Sequence, residues 1–189
     1  MTTIAIVFHS GYGHTLRVAE HVRKGAASAG ARIEMIAIDA DGNVPEAAWE
    51  TIASADGVIF GSPTYMGSVS WQFKKFMDAS SKPWYAQVWK GKVAAGFTNS
   101  ASMNGDKFNT LHTLITLAMQ HGMLWTGTGL MPSNSKAAGR DDINYLASFG
   151  GLMTQSPSDA SPDEIPAGDL ATAEAFGRNV AEVVKTVKG

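Results

Sequence analysis

The stretch that most constrains this chain is the apolar run Ile4-Ala-Ile-Val-Phe8 followed by His9-Ser-Gly-Tyr-Gly-His-Thr15. The segment from Thr2 to Phe8 is rich in Ile and Val with no polar residue after Thr3, the pattern of a strand buried on both faces of a parallel sheet. It stops in a loop of small and hydroxyl residues, and a periodic segment begins at once. Strand, tight polar loop and helix N-terminus together build an anion site. The N–H groups of the first helical turn have no partners in the helix, and the helix dipole favours negative charge there. Ser10 and Thr15 add hydroxyls, and no Lys or Arg lies in the loop. The pattern points to a phosphate held by neutral donors. An ordinary strand-to-helix turn is spelled the same way, so the rest of the chain has to decide.

Thr15 to Ala29 reads as an amphipathic helix, with Leu16, Ala19, Val22 and Ala26 on its apolar side and Gly30 closing it. Arg32 to Ile38 is a second strand, and Pro45 to Ala53 a short helix. Gly57 to Phe60 is a third strand running into the loop Gly61 to Ser68. Val69 to Ala79 follows as a helix that buries Phe73, Phe76 and Met77, and Lys82 to Trp89 as an aromatic-rich connection. Lys92 to Phe97 is a fourth strand, Thr98 to Asp106 a polar loop, Phe108 to His121 a helix, and Met123 to Thr126 a short fifth strand. Leu130 to Gly168 reads as irregular, rich in Gly, Ser, Pro and Asp, and as a lid, a subunit contact or a partly disordered stretch. Leu170 to Lys188 is the last helix, with Ala173, Phe176, Val180, Val183 and Val187 inward. Met119, Met123 and Met131 read as core filler. Strands alternating with helices predict an α/β doubly wound, five-stranded parallel sheet with helices on both faces. Ligands of such sheets sit beyond the carboxyl ends of the strands. Three loops leave those ends here, and none carries a carboxylate pair or a lysine for acid–base work. Such a pocket holds a group that brings its own chemistry.

Composition narrows the classes. A chain of 189 residues, 44% hydrophobic and 17% charged, has the makings of one globular domain. A net charge of -2 gives no broad basic field and argues against nucleic acid. With no cysteine there is no disulfide, thiolate catalysis or iron–sulfur cluster, and the five His show no metal-ligand spacing. No apolar run reaches membrane length, and Met1-Thr-Thr3 opens straight into a strand without a signal-peptide layout, so a cytoplasmic protein with no membrane insertion is expected.

Together the loops carry a resemblance. Ser10-Gly-Tyr-Gly-His-Thr15 ahead of a helix resembles the phosphate loop of the flavodoxin-like flavoproteins, and in particular of the WrbA-type NAD(P)H:quinone oxidoreductases, which read Ser-x-Tyr-Gly-His. Gly61-Ser-Pro-Thr-Tyr-Met-Gly67 resembles their isoalloxazine loop, Pro-Thr-Arg-Phe-Gly. Phe76-Met-Asp78, Trp84 and Gly91-Lys92 resemble the segment that follows, and His121-Gly-Met123 their His-Gly-Met. The similarity runs from Ile4 to the C-terminal helix and implies a single flavodoxin-like domain over residues 1–189.

The resemblance implies non-covalent FMN, with Ser10, Tyr12, Gly13, His14 and Thr15 around its phosphate. Pro63, Thr64, Tyr65, Met66 and Gly67 would line the ring, and Thr98, Asn99, Ser100, Ala101, Ser102, Met103 and Asn104 would close its other edge. Tyr12, Trp84 and His121 would lie where nicotinamide or quinone stacks, some across a subunit boundary, in a homodimer or homotetramer. The implied activity is two-electron reduction of quinones or similar flat acceptors by NAD(P)H, a ping-pong hydride transfer through flavin N5, with no side chain needed as an acid. Rival readings are a flavodoxin-type electron carrier serving protein partners and a flavin reductase feeding a monooxygenase. A receiver-type signalling domain would need acidic residues where Phe8-His9-Ser10 stands.

Three departures from the family pattern stand out. The third loop, Asn99-Ser-Ala-Ser-Met-Asn104, keeps only Gly105 of a Gly-rich run; Tyr65 replaces the Arg of the ring loop; and the connection from Asp39 to Thr51 is short. The first bears on the hydrogen bonds to the flavin pyrimidine edge, the second removes a cation beside the ring, and the third bears on tetramer contacts.

Overall fold

The structure, a computed structural model, describes residues 1–189. Its elements are β1 (Thr3–His9), α1 (His14–Ser28), β2 (Arg32–Ile38), α2 (Glu46–Ser54), β3 (Gly57–Tyr65), β4 (Ser68–Val69), α3 (Trp71–Ala79), α4 (Ser81–Tyr85), β5 (Val93–Ser100), α5 (Lys107–Gln120), β6 (Leu124–Trp125), β7 (Leu152–Gln155) and α6 (Ala167–Lys188), with a 3₁₀ turn at Pro162–Glu164. The order across the sheet is β2-β1-β3-β5, all parallel. β1 runs to β2 on one side while β3 and β5 extend on the other. The loops after β1 and β3 therefore part at a topological switch point, where a crevice opens.

Both faces of the sheet are covered, as expected of apolar strands. Ile4, Ile6 and Phe8 of β1 enter the core beneath α1 and α6, whereas Ala5 and Val7 enter the core beneath α2, α3 and α5. α1 and α6 pack closely because glycines meet backbone. A β-carbon on Gly25 would stand 1.9 Å from the Glu174 carbonyl oxygen, and one on Gly177 would stand 2.1 Å from that of Val22. Glu174 accepts from His21 at 2.9 Å and Lys24 at 2.8 Å across the same seam. No helix is long and apolar enough to cross a membrane.

The fold class agrees with the sequence reading, but the sheet has seven strands and not five. One is the two-residue β4, which returns antiparallel onto β3 through a hairpin. Its turn residues, Met66 and Gly67, both have positive φ (46° and 78°), as a two-residue hairpin turn demands. The other change is at the sheet edge. β6 pairs with Val93 and Ala94 at the start of β5, and β7 pairs with Phe97 to Ser100 at its end. The fifth strand position is thus split, with residues 126–151 inserted between its halves. β7 and the 3₁₀ turn lie within the segment expected to be irregular.

β3 and β5 run past their apolar residues through Tyr65 and Ser100, because Ser62↔Thr98 and Pro63↔Asn99 continue the parallel pairing. Pairing in space overrides the local polar spelling there. Other expectations of burial differ: Leu16, Met119, Met131 and Val187 are exposed, while Val18 and Val184 are buried. Trp89 is a core residue between Phe76 and His121.

Candidate functional site

At the switch point lies a cavity of about 410 Å³, within the range of small-ligand pockets. The phosphate loop contributes Tyr12, His14 and Thr15, the ring loop Pro63, Thr64 and Tyr65, and the third loop Asn99, Ser100 and Ala101. The three loops singled out in the sequence therefore do meet.

The first loop presents bare donors. Gly13 precedes α1 in the left-handed region, φ 90°, with no side-chain cap. Ser10 Oγ accepts from the Leu16 N–H at 3.0 Å and Gly13 O from Arg17 N–H at 3.0 Å. No acceptor within the chain takes the N–H groups from Gly11 to Thr15. Ser10 shapes the loop and does not line the cavity; its hydroxyl proton is not used by that bond. Gly13 is required twice over, by its φ and because a β-carbon would stand 2.8 Å from Pro162 Cγ. This donor set suits a phosphate.

The ring loop is braced from behind. Thr64 Oγ1 lies 2.8 Å from both Thr98 Oγ1 and Thr110 Oγ1, a buried hydroxyl cluster joining β3, β5 and α5. Thr98 is thus support and not lining. Tyr65 meets Tyr12 edge to face, centroids 6.2 Å apart, and burial pushes its hydroxyl pKa up, keeping it neutral. Met66 and Gly67 form the hairpin tip outside the cavity; Met66 is fully exposed and the Gly67 carbonyl accepts from Asn109 Nδ2 at 2.7 Å. His9, at the end of β1, sits 2.9 Å from Ser70 Oγ, the N-cap of α3, and burial lowers its pKa.

The third loop is held by a residue just beyond it. Lys107 Nζ donates to Ser100 Oγ (2.9 Å), Ser102 O (2.7 Å) and Met103 O (2.8 Å). Burial lowers the lysine pKa to about 8. The loop that lacks the glycines is therefore wrapped around an ammonium. Ser102 stays out of the cavity, and Met103 and Asn104 border a separate apolar groove with Phe108, Tyr145 and Met153. Asn99 is fixed by Ser156 Oγ and Thr154 Oγ1, both at 2.9 Å.

The far wall went unseen in the sequence. Ser156, Pro157, Ser158, Asp159, Ala160 and Pro162, which follow β7, complete the cavity. His14 Nε2–H donates to the Ala160 carbonyl at 2.9 Å, tying this wall to α1. Ser161 and Glu164 close a capping box there, and hydrogen bonds to Ser161 hold the Glu164 carboxyl below its usual range. The only local signal was a loop rich in Pro, Ser and Asp; the strand that delivers it was hidden.

Trp84 and His121 lie away from this cavity. Both line a second cleft of about 350 Å³ between α3, α4 and α5. His121 is 2% exposed and stacks on Trp89, centroids 4.0 Å apart. Ser80 Oγ donates to Met77 O, so it accepts from His121 Nε2–H at 2.9 Å. That leaves Nδ1 buried without a partner, and burial lowers the pKa to about 4.

The fold with this tripartite crevice defines a flavodoxin-like flavoprotein, and the chain matches the NADPH-dependent FMN reductase family over residues 7–137. It belongs to that family and is an oxidoreductase using FMN and NAD(P)H. It is 50% identical to Flavodoxin FldP of Pseudomonas aeruginosa (strain UCBPP-PA14) over 183 residues, 97% of each chain. It is 31% identical over 205 residues to an NAD(P)H dehydrogenase (quinone) of Methylocella silvestris, covering 100% of both. The crystal structure of a flavodoxin, WrbA-like protein from Agrobacterium tumefaciens superposes with a TM-score of 0.80 at 46% identity, over 98% of this chain and 99% of that one.

The residues present fit FMN. Unpaired N–H groups suit its phosphate, and neutral side chains with a tyrosine pair suit its ring. When bound, the group supplies hydride acceptance and donation; the protein supplies position and surroundings.

Proposed function

We propose that the chain reduces quinones or similar flat acceptors with electrons from NAD(P)H, one substrate replacing the other on a single flavin in a ping-pong cycle. The observation that carries this is the meeting of three strand-end loops on one cavity, with the unpaired N–H groups of the first loop beside a tyrosine pair. On this reading Ser10 shapes the phosphate loop, and the N–H groups from Tyr12 to Thr15 hold the phosphate. Pro63, Thr64 and Tyr65 would line the ring; Asn99, Ser100 and Ala101 would bound its other edge. Thr98, Ser102, Met103, Asn104, Met66 and Gly67 would act by support. No side chain is assigned as an acid, because the cavity is lined by one carboxylate, Asp159, and no carboxylate pair. The chain would work in the cytoplasm as a homodimer or homotetramer. Trp84 and His121 line a cleft of their own, so substrate stacking by them would need the flavin of a neighbouring copy.

A second reading rests on the relative named Flavodoxin FldP at 50% identity: a one-electron carrier for protein partners. Anaerobic mixing of the FMN-loaded protein with NADPH or NADH separates the two. The proposed enzyme bleaches within seconds and benzoquinone restores the colour. Bleaching that takes hours with both nucleotides sinks the quinone reductase reading in favour of the carrier.

A further inference from the structure

Lys107 is a buried charge with a cost and no counterpart in hydrogen-bond reach. It opens α5, is 1% exposed, and its three acceptors are a hydroxyl and two carbonyls. It forms no salt bridge. The charged groups that face it are Asp169 of α6, which favours the ammonium, and Arg140 of the 126–151 insertion, which opposes it. Those two are committed to each other as a bidentate pair at 2.5 and 2.6 Å, so their fields largely cancel. A cation in the first turn of a helix also meets the positive end of the helix dipole. A neutral amide or hydroxyl would tie the same carbonyls at less cost. The charge therefore calls for an anion, and the cavity lies on the other side of the loop. Ser100, which accepts from Lys107, lines that cavity together with Ala101.

We propose that Lys107 is a positioning and electrostatic residue of the flavin site: its ammonium holds the Ser100–Met103 backbone and favours the negative charge that bound flavin gains on reduction. This rests on the reading of the cavity as the FMN site. A hydride carries two electrons and one proton, so nicotinamide leaves as its cation and the flavin gains one negative charge. Below about pH 8 Lys107 keeps its proton throughout; it supplies field, not acid.

Spectroelectrochemical titration of FMN-loaded protein tests this. Lys107→Met removes the charge and keeps the stem. It is expected to weaken reduced FMN about tenfold more than oxidised FMN, a fall in two-electron potential of about 30 mV. Lys107→Arg, which keeps the charge, restores the potential. The wild-type protein offers a test without mutation. The negative charge of reduced flavin raises the lysine pKa above the value of about 8 that burial sets, so above pH 8 reduction takes up one further proton at Lys107 and potential falls more steeply with pH. A Lys107→Met potential equal to wild type, or, if that variant does not fold, an unbroken wild-type line, overturns the proposal and leaves Lys107 a staple of the loop. Wild-type protein that takes up no FMN overturns the cavity reading first and this inference with it.

Discussion

Ser10 shows how one residue shapes a site without lining it. Its Oγ takes the Leu16 N–H, and the earlier N–H groups of the turn are left without a partner in the chain. A carboxylate accepts the same bond and is favoured by the helix dipole. Ser10→Asp should therefore leave the folded state as stable as before or raise it by about 0.5 kcal/mol. The same charge repels a phosphate, so FMN affinity should fall at least about tenfold, roughly 1.4 kcal/mol. Thermal melts and a fluorescence titration with FMN measure the two effects; unchanged affinity would show that the phosphate binds elsewhere. At this scale much of the site was legible. Ser10 and Thr15 were named because hydroxyls at a strand-to-helix turn have a mechanism behind them, and Tyr12, His14 and Tyr65 through the family resemblance. Lys107 was not, because nothing in its neighbours signals that a lysine at a helix start turns inward to bind the loop preceding it.

At the scale of elements, α1 and α6 approach as closely as their glycines allow. Gly25→Ala and Gly177→Ala each force the helices apart, since backbone cannot swing away as a side chain can. Each is expected to cost about 2–3 kcal/mol in chemical denaturation. Once one has separated the helices, the second costs less, so the double variant should lose clearly less than the sum. Full additivity would mean that the two contacts yield independently. Most elements were legible because long apolar periodicity is a local property. The exceptions, β4, β7 and the polar ends of β3 and β5, are strands by virtue of their partners. Leu152-Met-Thr-Gln155 has too few residues to show a period, and only the free edge at Phe97 to Ser100 makes it a strand.

For the whole molecule, buried neutral histidines set an acid limit on stability. His121 has Nδ1 without an acceptor, so protonation adds a charge and an unsatisfied donor together. Its pKa falls from an ordinary value of 6.5 to about 4, and that of His9 also falls. The unfolded chain then binds protons that the folded chain refuses. Stability is complete above pH 6.5 and declines as pH falls from there towards 4. The carboxylates held below their usual range, Asp56 beside Lys188 and Glu174 beside Lys24 among them, add their loss as pH falls below their ordinary values of 3.8 and 4.5. Urea midpoints measured from pH 7 to 4 should fall through that window. His121→Phe, which keeps the stack on Trp89, should flatten the decline by about 2 kcal/mol. A decline equally steep in the variant would place its cause in other groups.

The sequence by itself determined the layered α/β class, most of the element order and the three loops that meet at the cavity. These follow from periodicity, helix-start chemistry and the rule that parallel strands release their loops at one edge. Only the tertiary structure decided the split fifth strand, the far wall from Ser156 to Pro162, the separation of Trp84 and His121 from the cavity, and the inward turn of Lys107. Each of these depends on a partner distant in the chain. A strand needs the edge it adds to, a buried cation needs the carbonyls that receive it, and residues near in sequence carry no record of either.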